Sequence, residues 1–330
     1  KENRLYTFED KALAVNGLNV TYAGTYNGVA SVLTASEETS GIAGALDDLL
    51  FNSADTAATA AIHKAFSGTQ EEADNAAASV APNVDGATFE AAKMILSGHN
   101  GAISGRLSGV RQVASLGGAQ GSGLSAGDAS HHPVSTWVKT FGNSMKKKTD
   151  GAKKGYSATT GGIELGFDTE VSPGVVLGAG FGFAKSKIKT KTTPSDKSDI
   201  KNYQGALYVS YSPEADYFVD GILSYGKNYY KTTRSIQFAG VDRQAEGKFT
   251  GTQPSAQIRV GYNWSEGEVV VTPFTALRYT HLNQKSYSET GADALSLKDV
   301  ESEKMKSIEG SLGVNVAYTM WEQDDTRFIP

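Results

Sequence analysis

The chain has 330 residues, 39 % hydrophobic and 20 % charged, which is long enough for two domains and outside the composition of a disordered chain. A mean hydropathy of -0.32, with no apolar run approaching about 18 residues, excludes a transmembrane helix but not a membrane barrel, whose strands need only about 10 alternating residues. The absence of cysteine excludes disulfides, Cys-type zinc sites and Cys nucleophiles, and a net charge of -5 gives no basic footprint for nucleic acid.

Lys1 is not an initiator methionine and no signal-like segment opens the chain, so a mature or excised fragment is expected. Leu18-Asn19-Val20-Thr21-Tyr22 reads as a strand, and residues 41–51, 54–66 and 86–96 carry apolar side chains at helical spacing. Residues 101–116 place Ile103, Leu107 and Val110 on one helical face, with Arg106 and Arg111 elsewhere. Glycines weaken this helix in isolation, so it needs an enclosing partner. Gly117-Gly118-Ala119-Gln120-Gly121-Ser122-Gly123 then reads as a flexible linker.

Near residue 130 an Ala-rich, tyrosine-poor half gives way to one rich in Tyr, Phe, Gly and Val, and the period changes to two. Val175, Leu177, Ala179, Phe181 and Phe183 alternate with Val176, Gly178, Gly180, Gly182 and Ala184, giving one greasy face and one nearly bare. Ile163, Leu165 and Phe167 alternate with Gly162, Glu164, Gly166 and Asp168. Ala256, Ile258, Val260, Tyr262 and Trp264 oppose Ser255, Gln257, Arg259, Gly261 and Asn263, and a ladder through Ile308, Leu312, Val314, Val316 and Tyr318 closes the series. A soluble β-sandwich would also alternate. Residues 199–211, 216–227 and 269–281 are too long for that, and Tyr203, Tyr211, Tyr217, Tyr225, Tyr262, Trp264, Tyr279 and Tyr318 fall towards strand ends on the apolar face, as an interfacial girdle would. Short connections at Ser172-Pro173-Gly174, Ser212-Pro213-Glu214 and Ser265-Glu266-Gly267 alternate with charged stretches at 185–198, 235–248 and 284–306, read as long outer loops.

The order of these parts resembles the type V autotransporter family. The residues that carry the resemblance are Asn27-Gly28-Val29-Ala30, Arg106-Leu107-Ser108-Gly109-Val110-Arg111, Trp137-Val138-Lys139-Thr140-Phe141-Gly142, Gly162-Ile163-Glu164-Leu165-Gly166-Phe167-Asp168 and Thr272-Pro273-Phe274-Thr275-Ala276-Leu277-Arg278-Tyr279. The resemblance implies a mainly β fold, a transmembrane antiparallel up-and-down barrel threaded by a pore helix. It divides the chain into a passenger end (1–35), a helical junction (36–98), a pore helix (99–116), a linker (117–133) and the barrel (134–330). Family barrels have about twelve strands and end in an aromatic strand. About eight are visible here, and Asp325-Thr326-Arg327-Phe328-Ile329-Pro330 does not read as such an end, so about four strands are expected to be missing. A Gly/Ala-lined lumen leaves room for a helix of roughly 10 to 12 Å. The implied function is export of the chain's own passenger to the surface of a Gram-negative bacterium, with outer-membrane lipid, the barrel assembly machinery, periplasmic chaperones and the passenger as partners, and no nucleic acid. The alternatives are a porin or adhesin barrel, or a barrel enzyme.

No catalytic site, cofactor or metal is expected, apart from self-cleavage. In some family members a pore-helix asparagine cyclises to release the passenger, and Asn100-Gly101 is the candidate pair here, with Glu164, Asp168, Asp220 and Glu309 as lumen acids. The simpler reading, which is favoured, is that Asn100 caps the helix. Arg106 and Arg111 are expected to pair with the lumen acids and hold the helix in place. Gly123-Leu124-Ser125-Ala126-Gly127 fits a nucleophile elbow but lies in a linker, so it is read as a chance match. His131-His132 is read as a polar linker end, and His281 as a strand-end residue. The glycosylation patterns at Asn19 and Asn263 carry little weight in an outer-membrane protein.

Overall fold

A computed structural model describes residues 6–8, 24–33, 42–82, 86–115, 134–150, 154–192, 195–213, 216–267, 269–318, 321–323 and 326–328. Two short strands, β1 (Tyr6–Phe8) and β2 (Gly24–Tyr26), pair antiparallel. Helices α1 (Ala43–Asn52), α2 (Thr56–Phe66) and α3 (Gln70–Val80) follow, and α4 (Ala87–Ser115) runs for 29 residues. The strand expected at 18–22 lies outside the described residues, as do the linker, the Gly123–Gly127 motif and His131-His132.

The sheet comprises β3 (Ser135–Lys147), β4 (Tyr156–Ser172), β5 (Val175–Thr190), β6 (Lys197–Tyr211), β7 (Tyr217–Phe238), β8 (Val241–Tyr262), β9 (Trp264–Glu266), β10 (Val269–Gln284), β11 (Glu289–Thr290) and β12 (Glu303–Tyr318). The long strands lie in the order β12-β10-β8-β7-β6-β5-β4-β3, each antiparallel to its neighbours, so eight form an open up-and-down wall with β3 and β12 at its edges. A separate two-stranded hairpin, β13 (Trp321–Gln323) with β14 (Thr326–Phe328), ends the described chain. The alternating faces sort as their chemistry demands. Leu165, Phe167, Phe181, Leu207, Leu223, Ile258, Leu277 and Leu312 point outward and are exposed, whereas Glu164, Asp168, Gln204, Asp220, Gln253 and Arg259 point inward and are buried. An apolar exterior around a polar interior is the reverse of a soluble protein and fits a lipid-facing wall. The eight girdle aromatics named from sequence are all on the outer face.

Two expectations are corrected. The charged stretches at 185–198 and 235–248 are largely strand. In Lys185-Ser186-Lys187-Ile188-Lys189-Thr190 the charges alternate with buried Ser186, Ile188 and Thr190, so the ladder continues above the aromatic girdle. Likewise β7 and β8 run 22 residues each, joined by a two-residue turn in which Ala239 (φ 49°) and Gly240 (φ 102°) both take positive φ, the geometry that matches strand twist in a tight hairpin. Residues 284–306 do form a long connection, carrying β11 and a 3-10 turn at Asp293–Leu295.

The pore helix is also longer than expected. It begins at Ala87, so the segment at 86–96 is its first turns and not a separate helix. Asn100 therefore lies mid-helix, and the reading of Asn100 as a cap is overturned. Helix α3, which no apolar stripe announced, is set by a capping box: Thr69 Oγ1 accepts from Glu72 N at 3.2 Å and Glu72 Oε2 accepts from Thr69 N at 2.7 Å.

Two kinds of core result. At one end of the wall, α1–α3 pack Leu46, Ile62, Phe66, Ala73, Ala77 and Val80 against Ile236, Phe238, Val241 and Ala245 of the tall hairpin and against Leu295, forming a cap. Inside the wall, Ile95 of α4 meets Tyr156, Ile188, Ile200 and Tyr230 near the cap, and Ile103 and Leu107 meet Ala206, Tyr208 and Ile222 further down.

Candidate functional site

Besides the apolar packing, α4 meets the wall through polar contacts, of which three involve buried charged or ionisable side chains of the wall and are taken in chain order. The first is His99, fully buried, whose Nδ1 lies 2.5 Å from Glu164 Oε2 and Nε2 3.1 Å from Asn202 Oδ1. A chain of amides sets the proton positions. The Ala92 carbonyl can only accept, so Gln253 Nε2 donates to it (3.1 Å) and turns its oxygen towards Asn228 Nδ2 (3.0 Å). Asn228 Oδ1 in turn accepts from Asn202 Nδ2 (2.8 Å), leaving Asn202 Oδ1 for His99. His99 Nε2 must therefore carry hydrogen, and one proton lies between Nδ1 and Glu164. Glycines on both the wall and the helix make space for this pair. A Cβ on Gly182 would fall on the His99 ring and the Glu164 carboxylate, and one on Gly98 would fall on the Phe141 ring.

The second contact is a two-pronged pair. Arg106 donates from Nε and Nη2 to Asp168 at 3.0 and 2.9 Å. Tyr208 OH donates to the same carboxylate at 3.0 Å and accepts from Trp137 Nε1 at 2.8 Å. The third lies near the lower end, where Arg111 donates to Asp220 at 2.7 and 3.2 Å and to Ser210 Oγ at 2.8 Å. Arg259 of the wall reaches Asp220 at 3.0 and 2.7 Å, and also donates to Ser104 O (3.1 Å) and Ser108 Oγ (2.9 Å) of the helix. Both guanidiniums cover the Phe218 ring, at 3.7 and 5.1 Å. One carboxylate thus serves two buried cations.

The structure places Glu309, the fourth lumen acid named from sequence, against Arg278 of the neighbouring strand (2.5 Å) and Lys93 of α4 (3.2 Å), and not against Arg106 or Arg111. The Asn100 amide donates to Gln257 Oε1 at 3.3 Å and accepts from Gln204 at 3.5 Å. His281 lies on the outer face of β10, opposite Lys306. Between α4 and strands β8, β10 and β12 an opening of about 450 Å³ remains, lined by Gly101, Gln257, Arg278 and Glu309.

Sequence reasoning passed over His99, Arg259 and the amide relay. A signal existed: His99-Asn100 precedes the glycine spacing of the helix, and Gln257 and Arg259 share the polar face of an alternating strand. It also passed over the bonds that tie the cap to the wall. Arg234, buried, donates to Glu289 (2.6 Å) and to the carbonyls of Ser79, Val80 and Leu295, covering the C-terminal end of α3 where carbonyls lack helical partners. Arg243 pairs with Asp55, which itself caps α2 by accepting from Ala58 N.

Residues 136–330 match a family model described as the autotransporter beta-domain. The chain belongs to the autotransporter β-domain family. Outer membrane protein A of Rickettsia conorii is 30% identical over 190 residues, which is 55% of this chain and 9% of that protein. Outer membrane protein B of Rickettsia typhi is 26% identical over 228 residues, 66% of this chain and 14% of that protein. An extracellular serine protease of Serratia marcescens is 26% identical over 188 residues, 57% and 17% respectively. The chain thus spans only about a tenth to a sixth of these relatives. Among solved structures, the translocator domain of the autotransporter NalP from Neisseria meningitidis aligns at a TM-score of 0.51 and 18% identity, over 69% of this chain and 72% of that one, a likeness of fold. Membership makes this the outer-membrane translocator domain of an autotransporter. The tyrosine-rimmed apolar band is then the membrane-spanning zone.

Proposed function

We propose that α4 stays in the lumen after export as a fixed plug, held chiefly at Asp220, while the cap covers its outer end. The observation that carries this is the shared carboxylate. Withdrawing α4 would take Arg111 from the Asp220 carboxylate and leave Arg259, though still paired with Asp220, without Ser104 O and Ser108 Oγ, and breaking up such a buried charged network is costly. Insertion with the help of the general barrel assembly machinery and periplasmic chaperones is part of the same reading and rests on family membership. The test is planar-bilayer conductance of the complete protein with and without residues 101–116. A plug requires conductance to rise on deletion, and an unchanged value refutes it.

A second reading, release of the passenger by cyclisation at Asn100-Gly101, draws support from the burial of Asn100 in the lumen. Against it, its amide is held by Gln204 and Gln257, and Glu164, Asp168, Asp220 and Glu309 are each engaged by a cation or His99. The fixed-plug reading therefore expects passenger processing to be unchanged by Asn100→Ala. Accumulation of an uncleaved precursor would establish cyclisation instead.

A further inference from the structure

The outer face of β5, β6 and β7 carries a cluster that neither the plug nor the cap uses. Immediately above Phe183, Tyr203 and Tyr225 the outward positions become Lys185, Lys187 and Lys189 on β5, Lys201 and Lys197 on β6, and Lys227 on β7, all exposed. The register sets Lys185 directly opposite Lys201 and Lys189 directly opposite Lys197, with Asp199, opposite Lys187, as the carboxylate between them. Like charges directly opposed across an antiparallel pair destabilise it, with Cβ atoms only about 5 Å apart. Glu246, the nearest acid on the neighbouring β8, is taken up by Lys231 and Lys248. Among the described residues, no ion pair joins these six lysines to a carboxylate.

The strands nonetheless hold their alternation through this block, with Ser186, Ile188, Ile200 and Asn202 buried behind it, so the lysines are held in a fixed lattice, about 7 Å apart along β5 and about 13 Å apart along β6. The lattice is continuous with the lipid-facing wall. The Lys185 ammonium lies 5.7 Å from the Phe183 ring and that of Lys227 5.8 Å from the Tyr229 ring, while below them Phe181, Leu207 and Leu223 present apolar surface. A lipid whose chains lie along those residues carries its headgroup to the height of the lysines. Their level is that of Ile188, Ile200 and Tyr230, just beneath the cap, which puts them in the outer leaflet.

We propose that this face binds the phosphate groups of outer-leaflet lipid headgroups, and that a lipid with two phosphates bridges β5 and β6 by neutralising the opposed lysines. This rests on the outer-membrane orientation of the family and is independent of the plug. The test uses the complete protein in detergent, titrated with bisphosphorylated lipid A, with its monophosphorylated form and with inorganic phosphate, and read by native mass spectrometry. The wild type should bind the bisphosphorylated lipid at least about tenfold more tightly than a variant carrying Lys185→Gln, Lys187→Gln, Lys201→Gln and Lys227→Gln. The corresponding four Lys→Arg changes should keep most of the affinity, and inorganic phosphate should not compete at millimolar concentration. Equal binding by the Gln variant, or equally strong binding of inorganic phosphate, overturns the proposal. Should the Gln variant fail to fold, the salt dependence of wild-type binding decides: affinity must fall as ionic strength rises, and a flat response is equally fatal.

Discussion

Asp220 is where the plug can be tested most sharply. Asp220→Asn keeps the side chain's shape and its hydrogen bond with Ser210, yet removes the charge facing both Arg111 and Arg259. Two buried guanidiniums over one Phe218 ring are then left without a counter-ion. Breaking a buried pair by removing one partner costs roughly 3 to 5 kcal/mol, and here a single carboxylate serves two cations, so the upper part of that range applies. At about 1.4 kcal/mol per factor of ten, the population with α4 displaced should rise by on the order of a thousandfold. Single-channel recording on the complete protein should show frequent openings in Asp220→Asn where the wild type is quiet. The triple variant Asp220→Asn, Arg111→Met, Arg259→Met should return towards quiet, because an apolar replacement of a buried ion cluster is often neutral. If Asp220→Asn is as silent as the wild type, the carboxylate does not hold the helix and the reasoning fails.

Other perturbations probe different parts. The hydrogen bond from Arg243, followed by the one from Ala58 N, outweighs partial burial and holds the Asp55 carboxyl down at about 2, against an ordinary 3.8. A lowered carboxyl supports the folded cap above its ordinary pKa and loses that support as pH falls through about 2. Amide protection factors in α2, which correct for the intrinsic pH dependence of exchange, should therefore be steady from pH 7 to 4 and fall towards pH 2, with Asp55→Asn less protected than wild type at neutral pH and lacking the acid step. Gly182→Leu should prevent α4 from seating, because its side chain would occupy the space of His99 and Glu164, and increased conductance with an intact heat-modifiable barrel would show this. Leu223→Arg, at an exposed outward position in the apolar band, should lower barrel stability by about 2 to 4 kcal/mol in urea titrations in lipid, and no change would place that face out of the membrane.

The wall was legible in the sequence because lipid and lumen impose opposite chemistries on neighbouring residues, as at Phe181-Gly182-Phe183 and Glu164-Leu165-Gly166. Reading failed where the outer environment changes from lipid to headgroup. At 185–190 the outward residues switch from aromatic to lysine while the inward ones remain small or apolar, and the composition imitates a loop although the period of two persists. The start of α4 was obscured by Gly98 and Gly101, residues poor for a free helix but permitted by an enclosing wall. Arg106 and Arg111 stood out as charges on an otherwise bland segment. His99 did not, because what fixes it is a relay through Asn202, Asn228 and Gln253, three residues scattered over three strands and brought together only by register.

The tall β7–β8 hairpin has a directional consequence. Its 22-residue strands reach roughly 70 Å along their length, well beyond an apolar band about 25 Å tall, and the part beyond carries Ile236, Phe238, Val241 and Ala245. Helices α1–α3 bury Ile62, Phe66 and Val80 in the core that includes that surface, which stands beyond one edge of the band alone. On the fixed-plug reading the cap therefore also holds the helix from above: once it has closed on the hairpin, α4 can slide back through the lumen only after the cap has unfolded.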